Sequence, residues 1–490
     1  MKTECHGQRL LFQDHGSREV VAAFDGGVIT SDAGGLLLRE VDQQFGILQS
    51  LVGAFTDHRD PELVEFSTLE LLRQRVMGIA LGYEDLNDHE RLRHDPLFAL
   101  LAGRRDVTGT DRRDPKDRGV PLAGKSTLNR LELTPVGASV DSRYKKVDSR
   151  YKKVDSRYKK IVASIAGLQD ALVDVFIRLR AKQGVPTELT LDLDATDDPV
   201  HGDQLGKFFH GYYKSYCYLP LYTFCGDWPL GAVLRPSDID GCAGTVRELS
   251  RIVPKLRAAW PGVKIIVRAD SGFCRDSILS WCEDNNVDYV IGLSKNTRLT
   301  KIIGGELQQA QQQFEQTGHA ARVFKDFHYQ TKKSWSRERR VVSKAEYLAK
   351  GPNPRFVVTS LPADRVPAKT LYEDRYCGRG EMENRIKEQQ LYLFADRTST
   401  HGMRSSQLRL LFSTMAYVLH LTLREFGLTG TGMAKAQAGT IRTKLLKIGA
   451  RIKVSVRRVW ISFSESYPYQ PLFERILDNL RRQRPQPLKI

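Results

Sequence analysis

The first fifty residues alternate short β-like runs with paired glycines (VVAAFDGGVITSDAGGLLLREVDQQFGI), which predicts strands and then a helix from about Ala33. From Asp60 to Ala102 the period lengthens, and Leu69, Leu72, Val76 and Ile79 share one helical stripe. Residues 103–120 (GRRDVTGTDRRDPKDRGV) carry no apolar period and read as a charged loop. Beyond them a helix is predicted from Ser126 to about Gln183. Within it Val140, Tyr144, Val147, Tyr151, Val154, Tyr158 and Ile161 form a heptad seam. Gly184-Val185-Pro186 breaks that pattern, so a mainly helical module is expected over residues 1–184.

The period then changes to two. Leu189, Leu191 and Leu193 alternate with Thr190, Asp192 and Asp194, as on a strand with one apolar face. Two Tyr- and Phe-rich strands over 208–235 and a helix over Ala243–Trp260 follow. Val263–Val267 (VKIIV) suits a buried strand, and a helix near Arg275–Asn286 and a strand at Tyr289–Leu293 succeed it. Strands interleaved with helices in this order predict an α/β core with a mixed sheet over 185–427. Residues 296–368 (HYQTKKSWSRERRVVS, PRFVVTSL) read as a β-rich insertion within it. A long helix over Leu371–Leu393 and an apolar one over Leu408–Phe426 complete the core, leaving a basic segment at 428–490.

Charge sharpens this outline. The chain has 490 residues and a formal net charge of +17. Residues 429–490 hold 13 Lys/Arg against 3 Asp/Glu. A seven-residue unit, VDSRYKK, is written three times across Val140–Lys160 and adds a net +6. Those two stretches carry almost the whole excess, which points to a phosphate-rich partner. Two of the identical copies read as a duplication that lengthens an element without a function of its own. No apolar run nears the roughly 20 residues of a membrane span, and the first residues lack a signal-peptide core. Seven Cys without a CxxC pair argue against zinc and for reduced thiols, so a cytoplasmic location is expected.

Three acids hold chemically informative positions: Asp194 ends the first strand, Asp270 ends a buried one, and Glu383 lies on the long helix. Strand ends of an α/β sheet converge on the edge where ligands bind. Three carboxylates without a His or Cys set suit Mg²⁺, or Mn²⁺, and phosphoryl transfer. The bland reading of each strand-end Asp is a helix cap. Chemistry alone does not separate Asp192 from Asp194, which share a strand face. On the helix, Tyr376, Arg379, Glu383, Lys387 and Gln390 fall on one face.

The strings LDLDATDDPVHG, RADSGF and YCGRGEMENRIKE resemble DDE-type transposases of bacterial insertion sequences, and more narrowly the thirteen-eighty family. FDGGVITSDAGGLLLREVD, STLNRLE, DRTSTHGMRSSQLRLLF and LLKIGARIKVS extend the resemblance through nearly the whole chain. It implies an RNase H-like catalytic core, with Asp194, Asp270 and Glu383 as metal ligands and Tyr376 and Arg379 in a Tyr-x-x-Arg-x-x-x-Glu signature. It also implies cut-and-paste transposition through a DNA hairpin, two paired protomers, and a nucleoid-associated bacterial setting. Double-stranded DNA at the element ends, bound by the N-terminal module and by the basic 428–490 segment (a DNA-binding or dimerisation segment), and target DNA would be the partners. The signature normally closes with Lys where this chain has Gln390; Lys387 lies one turn earlier. Arg451, Lys453, Arg457 and Arg458 suit DNA backbone contacts. Trp335, among Lys332, Lys333, Arg337, Arg339 and Arg340, suits either stacking on an extruded base or packing.

Two other functions compete. A catalytically silent relative would bind element ends without cleaving them. Gly119–Ser126 (GVPLAGKS) spells a P-loop, but the charged residues before it cannot form the strand such an ATPase needs.

Overall fold

A computed structural model of the chain describes residues 9–140 and 158–483. The fold divides into two compact units, residues 164–414 and residues 1–163 with 415–490.

The 164–414 unit is built on a nine-stranded mixed sheet. Its order is Trp228–Val233, Leu221–Cys225, Glu188–Ala195, Lys264–Ala269, Asp288–Leu293, Arg355–Thr359, Arg339–Leu348 and Ala321–Tyr329, with Gly351–Pro352 paired to Arg339–Leu348. Lys264–Ala269 runs parallel to both of its neighbours, Glu188–Ala195 and Asp288–Leu293. The other pairings are antiparallel. One face is covered by a helical run in four pieces: Ala368–Thr370, a π-helical turn at Leu371–Tyr376, a 3-10 turn at Cys377–Arg379, and Gly380–Leu393. Ile266, Val290, Val342 and Val357 of the sheet pack with Leu371 and Tyr372 of that run. Burying each such side chain contributes about 1.5–3 kcal/mol.

Three predicted features come out differently. The helix Ile165–Arg180 lies on the sheet side of the division, so the break falls before Ser164 and not at Gly184. Its Gln169 amide hydrogen-bonds both the carbonyl (2.6 Å) and the N–H (3.2 Å) of Ala232 on the edge strand. Phe176 meets Trp260 edge-on, ring centres 6.2 Å apart. Residues 296–368 do not interrupt the sheet but extend it, because Arg355–Thr359 pairs directly with Asp288–Leu293. They also open with two helices, Thr297–Ile302 and Gly304–Thr317. Finally, the helix predicted from Ser126 to Gln183 is broken. Lys125–Leu133 stops before Thr134-Pro135, where proline disfavours further helix. Ile161–Ala163 is a strand paired with Phe55–Asp57. Repeat residues 141–157 lie outside the described residues.

The other unit joins both ends of the chain. Helices Gly35–Phe45, Thr68–Ala80, Pro96–Ala102 and Gln470–Arg482 contribute to it. Thr68–Ala80 starts at a capping box in which Ser67 and Glu70 satisfy each other's backbone N–H groups. The described basic C-terminal residues belong to the same unit as the N-terminal helices. Ala450–Val454 pairs with Val459–Phe463 on one side and with Val28–Thr30 on the other. Lys447 reaches the buried Asp32 at 2.6 Å, and Tyr83 donates to the same carboxylate at 2.7 Å.

Candidate active site

Strand register sets the positions of the two aspartates. Ala269 pairs with Leu193 and with Ile291, so the next residues, Asp194, Asp270 and Gly292, stand side by side at the carboxyl edge of three parallel strands. One pleat further in, Arg268 is paired with Asp192 and Val290. Side chains two apart on a strand share a face, so Asp192, Asp194, Arg268 and Asp270 point the same way. The helical run lies on that face, since Val290 packs against Leu371 and Tyr372.

Arg379 brings the third acid in. Its guanidinium holds Glu383 at 2.8 Å and approaches Asp194 at 3.8 Å. Burial pushes the Asp194 carboxyl up to about 6; Arg379 opposes that rise, while the negative charges of Asp270 and Glu383 add to it. Asp270 accepts the N–H of Gly272 at 2.8 Å and so caps the short turn Ser271–Phe273. The capping role is therefore real, and one of its oxygens is engaged in it. Among the described residues no three acid, His or Cys side chains close into a ready-made metal set. The arginine supplies the counter-charge between the carboxylates.

The geometry separates Asp192 from Asp194. Asp192 is buried, with both oxygens gripped by Arg268 at 2.5 and 2.8 Å. Among the described residues Asp194 accepts the N–H of Ala195, at 3.0 Å, and approaches Arg379. The two carboxylates therefore differ in how much of their hydrogen-bonding capacity the protein itself uses.

Tyr376 lies half-buried beside these groups, and a Cβ on Gly292 would sit 2.6 Å from its hydroxyl. Burial raises the Tyr376 phenol above its usual pKa, which keeps it a hydrogen-bond donor. Lys387 is exposed on the same helix. Gln390 donates to the Asp197 carbonyl at 3.3 Å, so it ties the helix to the segment following the Asp194 strand.

Trp335 does not join them as a free ring. It is 6% exposed, edge-on to Tyr329 at 5.8 Å and covered by the Arg339 guanidinium at 5.4 Å. That is the packing alternative. Arg339 itself is buried between Asp276 and Glu283, and Arg340 is buried against Asp326, so neither offers its charge to DNA. In the other unit Arg451 and Lys453 are exposed on one face of their strand, and Arg457 and Arg458 are exposed in the following turn. The P-loop look-alike fails at its helix. The Lys125 N–H donates to the Glu90 carboxylate at 2.7 Å, so protein already fills the place a phosphate would take.

Sequence reasoning passed over Arg268, Gly292 and Gly378. A signal for Arg268 was present: an arginine alternating with Asp270 at the end of an apolar strand needs a buried partner. Nothing in the sequence marked the two glycines, whose need comes from close approach alone.

Fold and site together define an α/β protein with a mixed central sheet and an acidic strand edge bridged by arginine. The chain belongs to the DDE transposases: the family described as "Transposase DDE domain group 1" matches residues 12–485. No curated protein matches it. It is therefore an enzyme of DNA transposition and recombination, of a family that binds DNA and generally uses divalent metal ions. No helix among the described residues is long and apolar enough to cross a membrane.

Proposed function

We propose that the chain is a cut-and-paste transposase of the thirteen-eighty type, acting on insertion-sequence ends through Mg²⁺-dependent phosphoryl transfer. The observation that carries this is the side-by-side placement of Asp194 and Asp270 on adjacent parallel strands, with Glu383 drawn toward them by Arg379. The sheet order, three antiparallel strands followed by two parallel ones, agrees with an RNase H-like core.

The donor set fits Mg²⁺ or Mn²⁺: three carboxylates, hard oxygen donors, one of them held near 6 by burial and by its acidic neighbours. Asp194, Asp270 and Glu383 would hold the ions. When bound, the metal lowers the pKa of water or a 3′-hydroxyl and stabilises the leaving oxygen. Arg379 would exchange its carboxylate partners for a DNA phosphate, Tyr376 would donate to a phosphate oxygen, and Lys387 would contact the strand further along the helix. Arg451, Lys453, Arg457 and Arg458 would grip the DNA backbone, with target DNA bound after the ends. In this reading strand cleavage at an element end precedes a hairpin and then strand transfer, with two protomers pairing two ends. The buried Trp335 is not assigned the base-stacking role.

Single-turnover cleavage of end-containing DNA with Mg²⁺ tests the assignment, comparing the intact chain with Asp270→Asn. Loss of about a thousandfold or more in rate with retained DNA binding is expected. Equal cleavage by both would remove Asp270 from the site. Binding without cleavage by the intact chain would favour the catalytically silent reading.

A further inference from the structure

The Asp192–Arg268 pair lies beneath the site and takes no part in the proposed chemistry. Arg268 follows Ile265, Ile266 and Val267, all buried, so its guanidinium needs satisfied partners. Two of its nitrogens grip both oxygens of Asp192 side-on, and the third donates to the backbone carbonyl of Arg375 at 2.6 Å. Arg375 belongs to the π-helical turn Leu371–Tyr376, which passes directly into the 3-10 turn Cys377–Arg379. A side chain inserted into a helix ladder produces irregular turns of this kind. Gly378 faces the same guanidinium, and a Cβ there would lie 2.5 Å from its nitrogen.

The position of this contact matters. Asp192 is two residues before Asp194 on one strand, and Arg268 is two before Asp270 on the next. On the helical run, Tyr376, Arg379 and Glu383 all follow within eight residues of the Arg375 carbonyl. We infer that Arg268 is a positioning residue: its link from Asp192 to the Arg375 carbonyl sets the distance between the two strand-end aspartates and the turn that presents Arg379 and Glu383. The irregular turns are the form the helix takes around that link. This inference rests on the catalytic reading above for its consequence, but not for its geometry.

Hydrogen exchange on the metal-free, DNA-free full chain tests the geometry, and cleavage tests the consequence. In Arg268→Lys the charge remains, but a single ammonium cannot span both acceptors. Residues 371–383 are expected to exchange roughly tenfold faster or more, with the Thr245–Ala259 helix unchanged. Mg²⁺-dependent cleavage is expected to fall about tenfold or more, with end-DNA affinity within about threefold of the parent. Asp192→Asn, a milder change that leaves the Arg375 contact, should fall between the two. Unchanged exchange in 371–383, or a uniform rise across residues 164–414, overturns the inference, as does faster exchange with undiminished cleavage. Should Asp270→Asn cleave like the parent, the catalytic reading falls, and the exchange result still decides the role of Arg268.

Discussion

Gly292 shows how much one hydrogen atom decides at this site. A Cβ there would lie 2.6 Å from the Tyr376 hydroxyl, 2.9 Å from the Ser271 nitrogen and 3.2 Å from the Asp270 carbonyl carbon. The tyrosine could turn away, but the two backbone atoms cannot without moving the Asp270 turn. Gly292→Ala is therefore expected to cost about 1–3 kcal/mol of stability. It should also lower the cleavage rate by about 10- to 100-fold, since displacements near 1 Å cost that much in positioning. Thermal melting and single-turnover cleavage check the two effects; parent-like values in both would show that the strand edge yields freely. The contrast between Asp192 and Asp194 has the same origin. They are chemically alike, and only the neighbour across the sheet, Arg268 or Asp270, gives them different surroundings.

Among the elements, the helical run 368–393 departs most from its sequence pattern. The spacing of Tyr376, Arg379, Glu383, Lys387 and Gln390 predicts one uninterrupted face; Tyr376, Arg379 and Gln390 do reach the strand ends or the segment after them, while Lys387 is exposed. The path between them includes a π-helical and a 3-10 turn, which no periodicity could reveal because the cause is a side chain from another strand. The VDSRYKK triplet is the opposite case, since its meaning is written in the sequence alone. Two copies are surplus, fourteen residues with a net charge of +4. A chain lacking residues 140–153 is expected to keep its melting temperature within a few degrees and its metal-dependent cleavage within about threefold. Calorimetry and the cleavage assay measure both; a large loss in either would give the triplication a function.

Over the whole molecule, titration distinguishes the two units. In the one formed by both chain ends, burial holds His89 and His420 down to about 3, so both are neutral when folded. In the unfolded chain they titrate near 6.5. The stability they preserve is fully present above about pH 6.5 and is lost as pH falls toward 3, at up to about 1.4 kcal/mol per pH unit for each. In the 164–414 unit the sign reverses at Asp198. Burial, reinforced by Asp396 and Asp197, holds this carboxyl well above its usual range, so acid relieves a cost there. Calorimetry at pH 7.5 and pH 5 is expected to show the transition of the terminal unit moving down and separating from the other. A single transition with the same midpoint at both pH values would contradict this. His89→Gln should remove part of the downward shift.

The sequence by itself determined which residues are candidates and which elements carry them. Alternation placed Asp194 on a strand, an apolar run placed Asp270 at the end of another, and helical spacing aligned Arg379 with Glu383. Local signals of this kind survive because period, capping and turn chemistry act over a few residues. The tertiary structure decided what depends on partners distant in the chain. Strand register put Asp194 beside Asp270, and Arg268 gripped both oxygens of Asp192. The packing of Tyr329 and Arg339 closed the ring of Trp335. Pairing of Val28–Thr30 with Ala450–Val454 made one unit of the two ends of the chain. Apart from the local packing at Trp335, each of these joins residues tens to hundreds of positions apart, where the energy lies in close packing and satisfied charge and leaves no periodic trace in the sequence.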